Sequence, residues 1–90
     1  MLFVITAIDK PETLQLRLDN RNAHLSYVDK TGVVEMAGPF LDDADNMCGS
    51  LLIISASSIT EAEEWASNDP YAKAGLFETV SIRKWKKVIG

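Results

Sequence analysis

The sequence predicts an α+β fold of the ferredoxin-like kind, a four-stranded antiparallel sheet carrying two helices on one face. Three observations point there. Two strand-like runs, Leu2–Ile8 and Leu51–Ile54, are apolar without alternation, as in strands buried on both sides. Two segments open with helix-start signals, one near Asp9 and one at Ser58. The elements follow one another as βαββαβ, and with both crossovers right-handed that order puts the first and third strands in the centre of the sheet.

Each element has a local reason. The first strand ends at Asp9-Lys10-Pro11, where Asp9 and Glu12 have the spacing of a capping box and Pro11 is tolerated in a first helical turn. A helix is expected from about Pro11 to Lys30, closed by Thr31-Gly32. Val33–Phe40 reads as the second strand, with Pro39 confining its end to a sheet edge or bulge because proline cannot donate to the ladder. Leu41 to Cys48 reads as an acidic connecting loop, and Gly49–Ser55 as the third strand. Ser58 with Glu61 opens a second helix running through Trp65 to about Asn68, where Pro70 turns Asp69 to extended geometry. Beyond a turn through Gly75, Phe77–Arg83 alternates as the fourth strand and leaves a tail from Lys84 to Gly90.

At 90 residues the chain is expected to form a single domain spanning 1–90, burying only about 60–65% of its unfolded surface, so its own core is thin. Two apolar strand faces then call for a second cover. The simplest is a second copy, sheet against sheet, in an isologous homodimer; the alternative is that the open face lines a ligand cavity. The net charge of −4 argues against nucleic acid as a partner, since such proteins need a dominant basic surface. Leu2–Ile8 is too short and lacks the basic leader of a signal peptide or membrane span. Cys48 stands alone, which excludes an intrachain disulfide and fits a reducing cytoplasm.

The candidate site begins with the one histidine, His24. On a wheel of about 100° per residue, Leu14, Leu18, Leu25 and Val28 share an inward arc with Arg21 among them. Arg17 and His24 lie at its edge, so the three basic residues cluster within about 60°. An arginine among leucines must meet a carboxylate, a carbonyl or a ligand anion. In the second helix Ala62, Trp65, Ala66 and Asp69 follow the spacing of a buried face, and Asp69 ends it where the macrodipole repels negative charge. A cation from the first helix would relieve that position. If Asp69 accepts a hydrogen bond from one imidazole nitrogen, it fixes the tautomer and makes the other nitrogen a general acid or base.

Plainer readings stand beside these. A lone histidine near a helix end is often a packing or capping residue. His24, Arg21 and Asp69 could form a buried ion network with no cavity. Tyr71 and Trp65 suit a core or pocket wall better than a base-stacking platform, because no basic patch surrounds them. Asp42, Asp43 and Asp45 lack the glycine and terminal glutamate spacing of a calcium loop and read as solvated charge. The Arg83-Lys84-Trp85-Lys86-Lys87 run reads as a solvated final strand.

Taken in order, Leu2-Phe3-Val4-Ile5, Arg17…Arg21-Asn22-Ala23-His24-Leu25, Ala37-Gly38-Pro39, Gly49-Ser50, Trp65 to Tyr71 and Glu78…Ile82-Arg83 resemble the YciI-like (YCII-related) family over nearly the whole chain. The resemblance implies a dimeric α/β barrel of ferredoxin-like subunits and a His-Asp dyad, carried here by His24 and Asp69. It places Arg17, Arg21, Gly38, Pro39 and Ser50 near the pocket, and Tyr71 follows as pocket wall. It implies no cofactor, and no metal is expected either, since the single Cys48 gives little support to a zinc cluster. Asn22 departs from the pattern, since relatives commonly carry proline there. A characterised relative is a cofactor-independent dehydrochlorinase of chlorinated-aromatic breakdown, and similar barrels include muconolactone isomerases and small monooxygenases. The implied theme is proton transfer on a small cyclic or phenolic compound by a lyase or isomerase. The alternative is a non-catalytic protein holding an anionic metabolite in the same cationic pocket. Substrate does not travel with a fold.

Overall fold

A computed structural model describes residues 1–90. The element order is β1 (Leu2–Asp9), α1 (Leu14–Thr31), β2 (Val34–Leu41), β3 (Met47–Ser55), α2 (Ile59–Ser67), a one-turn α3 (Pro70–Lys73) and β4 (Phe77–Trp85). The four strands pair antiparallel in the order β2-β3-β1-β4, the ferredoxin-like arrangement. The two non-alternating runs are the two central strands, as the sequence predicts, and the proline-bearing β2 lies at an edge.

Register decides which side chains meet the helices. Phe3, Ile5 and Ala7 of β1 stand beside Ile54, Leu52 and Ser50 of β3, and all six are buried. Ala62 and Trp65 of α2 complete the core cluster with Phe3, Ile5, Leu52 and Ile54. Between the helices, the Tyr27 hydroxyl donates to the Trp65 carbonyl at 2.7 Å and the Trp65 indole N–H donates to Thr31 Oγ1 at 2.9 Å. The opposite sheet face carries Leu2, Val4, Leu51 and Ile53, only half-buried, with Ile8, Met36 and Trp85 exposed. Only 15 of 90 residues are buried, which is the thin core expected of this length.

Several local expectations are corrected. Asp9 does not cap α1; it closes β1, and its carboxylate faces Arg17 instead. Glu12 sits at φ 59°, a left-handed conformation that cannot begin a helix, so α1 starts only at Leu14. Gly32, at φ 64°, ends it by returning its N–H to the Val28 carbonyl. The acidic loop shrinks to a hairpin turn over 42–46, in which the Asp42 carboxylate accepts from the backbone N–H groups of Ala44 and Asn46. Ser58 caps α2 through the Glu61 N–H, but the Glu61 carboxylate turns back to Ser57, one residue earlier than a capping box requires. The strand β4 runs to Trp85, two residues past its expected end, because Lys84 and Trp85 still pair with Phe3 and Leu2.

The wheel of α1 is also revised. Leu14, Leu18 and Leu25 are exposed, Val28 is half-buried, and the two buried residues of the helix are Arg17 and His24. The helix is turned so that its polar edge, rather than its leucines, lies over the sheet. Buried carboxylates wait there for the Arg17 guanidinium and the His24 imidazole, and leaving the Asp9 or Asp69 charge unpaired would cost more than leaving three leucines partly in water.

A candidate active-site cavity between the first helix and the sheet

A cavity of about 170 Å³ opens between α1 and the β2-β3 edge, lined by 12 residues, six of them hydrophobic. Its wall includes Arg17, Arg21, His24, Gly38, Pro39, Ser50 and Tyr71, so seven of the eight expected site residues meet at one place. The eighth, Asp69, stands behind His24. Leu25, Ala37, Met47, Leu51 and Leu52 also line it, none of them among the site residues the sequence predicts.

His24 Nδ1 lies 2.8 Å from Asp69 Oδ1, with both side chains almost wholly buried. Nε2 has no protein partner, yet no buried polar side-chain atom is left unsatisfied, so Nε2 is reached from the cavity. The imidazole is held flat by Tyr71, stacked at 4.1 Å between centroids and 15° between planes.

Asp69 is not placed against a helix dipole, which corrects the sequence reading. The second helix stops at Ser67, and Asp69 is the N-cap of α3, with φ −61° and ψ 130°. Its Oδ1 also accepts the Tyr71 N–H at 3.0 Å, and Pro70 occupies the first helical turn, where its missing N–H does no harm. Asp69 therefore does two things with one oxygen: it starts α3 and orients His24. Because α3 carries Tyr71, the cap also sets the ring that supports the imidazole.

Arg17 occupies a second buried cluster. Its Nε donates to Asp9 Oδ2 at 2.7 Å, and its Nη2 donates to Asp9 Oδ1 and to Ser50 Oγ, each at 2.9 Å. Its guanidinium carbon lies 4.7 Å from the centre of the Tyr71 ring. Burial works against this charge, but the hydrogen bonds and charge of Asp9 outweigh it and raise the Arg17 pKa. Burial raises the Tyr71 hydroxyl above its ordinary range, the charges of Arg17 and Arg21 draw it back, and Asp69 adds to the rise. Asp9 was missed as a site residue. Its signal in the sequence is a carboxylate at the end of an otherwise apolar strand, and the capping spacing to Glu12 masked it.

Arg21 differs from expectation. It is exposed on the cavity rim and enters neither ion pair, so it takes no part in a buried network with Asp69. A cavity is present where the purely structural reading had none.

A four-stranded ferredoxin-like sheet with a buried His-Asp pair beside a cavity defines a class of small α+β proteins. The YCII-related domain model matches residues 1–86, and the chain belongs to that family. Protein YciI of Escherichia coli O6:H1 is 39% identical, over 98% of this chain and 99% of the relative. An uncharacterized protein of Haemophilus influenzae is 34% identical over the same shares. Among solved structures, 5-chloro-2-hydroxyhydroquinone dehydrochlorinase (TftG) from Burkholderia phenoliruptrix AC1100, in complex with 2,5-dihydroxybenzoquinone, is 40% identical with a TM-score of 0.87, covering 96% of this chain and 94% of that one. An antibiotic biosynthesis monooxygenase at 14% identity and a TM-score of 0.60 shares the fold alone. No helix is long and apolar enough to cross a membrane.

Proposed function

We propose that this chain, acting as one YciI-like domain, is a small cofactor-independent enzyme of lyase or isomerase type that moves a proton on a small cyclic or phenolic acid, dehydrochlorination being one form of that chemistry. The observation that carries the proposal is the 2.8 Å contact between His24 Nδ1 and Asp69 Oδ1, which leaves Nε2 reachable from the cavity. Asp69 accepts a hydrogen bond from Nδ1–H and holds that proton on Nδ1, so Nε2 keeps its lone pair and acts as the base. A substrate O–H or C–H proton passes to Nε2, and negative charge collects on a ring oxygen beside Arg21 and Ser50. The proton then returns to another ring atom in an isomerisation, or HCl is lost overall in a dehydrochlorination. The cavity, about 170 Å³, compares with the ~150 Å³ that admits benzene, so it suits one six-membered ring. The likeness to a dehydrochlorinase at 40% identity supports the same class of substrate.

The test is turnover of 5-chloro-2-hydroxyhydroquinone followed by chloride release. We expect the wild-type chain to release chloride and His24→Ala to lose this while keeping its fold; equal rates would refute the role of His24. The unpaired Arg21 favours a second reading, an anion-binding protein without turnover. Under that reading His24→Asn keeps its affinity for 2,5-dihydroxybenzoquinone and no substrate is converted. The half-buried apolar sheet face supports a homodimer joined through it, a cover that a thin core favours. Light scattering at twice the 9.9 kDa chain mass is the expected result. A single half-buried Cys48 suits a reducing cytoplasm.

A further inference from the structure

Beside the cavity lies a buried carboxylate-cation pair that the His24 chemistry does not use. Asp9, 8% exposed, occupies the Nε and Nη2 edge of Arg17, which is itself 2% exposed. That edge is the fork with which arginine takes a carboxylate ligand in two parallel hydrogen bonds. Both Nη2 hydrogens are committed, one to Asp9 Oδ1 and the other to Ser50 Oγ. Ser50 therefore accepts from Arg17, and no protein acceptor receives its own hydroxyl hydrogen. Ser50 is 5% exposed and lines the cavity, so that hydrogen is free to meet a ligand atom there.

We propose that Asp9 is a positioning residue that neutralises and occupies Arg17, so that the cavity offers the Ser50 hydroxyl as a single-oxygen donor and selects uncharged ring hydroxyls over carboxylates. The substrate class named above is narrowed accordingly, and the inference rests on that reading for its biological setting. A carboxylate entering the cavity meets an arginine whose Nε/Nη2 edge is filled and whose charge is already answered by a buried carboxylate, with only Nη1 left without a protein partner. Arg21, on the exposed rim, offers it only a solvated charge. A phenolic oxygen, by contrast, accepts the Ser50 hydrogen without displacing Asp9. The donor is strengthened because Arg17 already donates to the same oxygen, and chained hydrogen bonds polarise one another.

The experiment compares binding of hydroquinone and benzoate by calorimetric titration, without turnover, so its outcome is separate from the chloride-release test of His24. Wild type is expected to prefer hydroquinone. Asp9→Asn leaves Arg17 with an unbalanced charge, and benzoate affinity is expected to rise about tenfold while hydroquinone affinity falls, as charge-assisted bonds to the freed guanidinium would give. A residue with a merely structural role would weaken both ligands together, and that result overturns the proposal, as does no change in either. Should Asp9→Asn fail to fold, Ser50→Ala removes no charge and decides the matter. A loss of about tenfold for hydroquinone with benzoate unchanged supports the inference, and unchanged hydroquinone binding overturns it.

Discussion

Replacing Asp69 separates what its carboxylate does for the fold from what it does for the site. In Asp69→Ala, Tyr71 N–H loses its cap acceptor, which costs about 1 kcal/mol for an N-cap. His24 Nδ1 loses its partner in a buried setting, a further 1–3 kcal/mol or so. The sum is about 2–4 kcal/mol, and at roughly 4–8 °C per kcal/mol in a domain of this size the melting temperature should fall by about 10–30 °C. Asp69→Asn behaves differently. Asparagine caps helices as well as aspartate, so stability should stay within about 1 kcal/mol. Its amide no longer demands a proton on Nδ1, and in Ser-His-Asp enzymes the corresponding change lowers kcat by about 10⁴ through the wrong tautomer. Thermal denaturation followed by circular dichroism, alongside chloride release from 5-chloro-2-hydroxyhydroquinone, reads both quantities. A loss below about 1 kcal/mol in the alanine variant, or an asparagine variant with full turnover, would refute the bridging role.

Alkaline stability follows from two tyrosines. Burial, and then the charge of Asp69, raises Tyr27 above its ordinary 10.0, and Tyr71 is likewise raised, burial being the main cause. The unfolded chain therefore releases these protons first, so their contribution is complete below pH about 10 and is lost as pH rises past it; urea midpoints should drop steeply there, and less steeply in Tyr71→Phe. Gly49 is a close-approach glycine: a Cβ would lie 2.5 Å from the Ala7 carbonyl oxygen and 3.0 Å from Phe40 Cδ2. Gly49→Ala should cost about 1–3 kcal/mol in chemical denaturation, and a neutral result would contradict the β1-β3 register. Arg21→Gln should leave stability within about 0.5 kcal/mol. It should lower affinity for 2,5-dihydroxybenzoquinone by about three- to fivefold and remove much of its salt dependence.

The strand order and the central position of β1 and β3 were legible because they rest on local patterns, namely non-alternating apolar runs, capping residues and chain breakers. The family pattern, spread over the chain, brought His24, Asp69, Arg17, Arg21, Gly38, Pro39, Ser50 and Tyr71 forward as a group. The orientation of α1 was not legible. Hydrophobicity on a wheel favours Leu14, Leu18 and Leu25, whereas the folded helix buries Arg17 and His24. A wheel carries no information about what lies across from it.

By itself, then, the sequence determined the order of elements, the sheet's centre and the residue types available for an acid-base site. Tertiary structure alone decided the pairings. Arg17 meets Asp9 and Ser50, the latter 33 positions away, and His24 meets Asp69 across 45. It also decided that Asp69 begins a helix rather than ending one, and that Arg21 stays in water. The physical reason is the range of the forces involved. Backbone propensity and capping act within a few residues, while the destination of a buried charge depends on which carboxylate the sheet register delivers opposite it, and an unpaired charge there is the costliest outcome available to the fold.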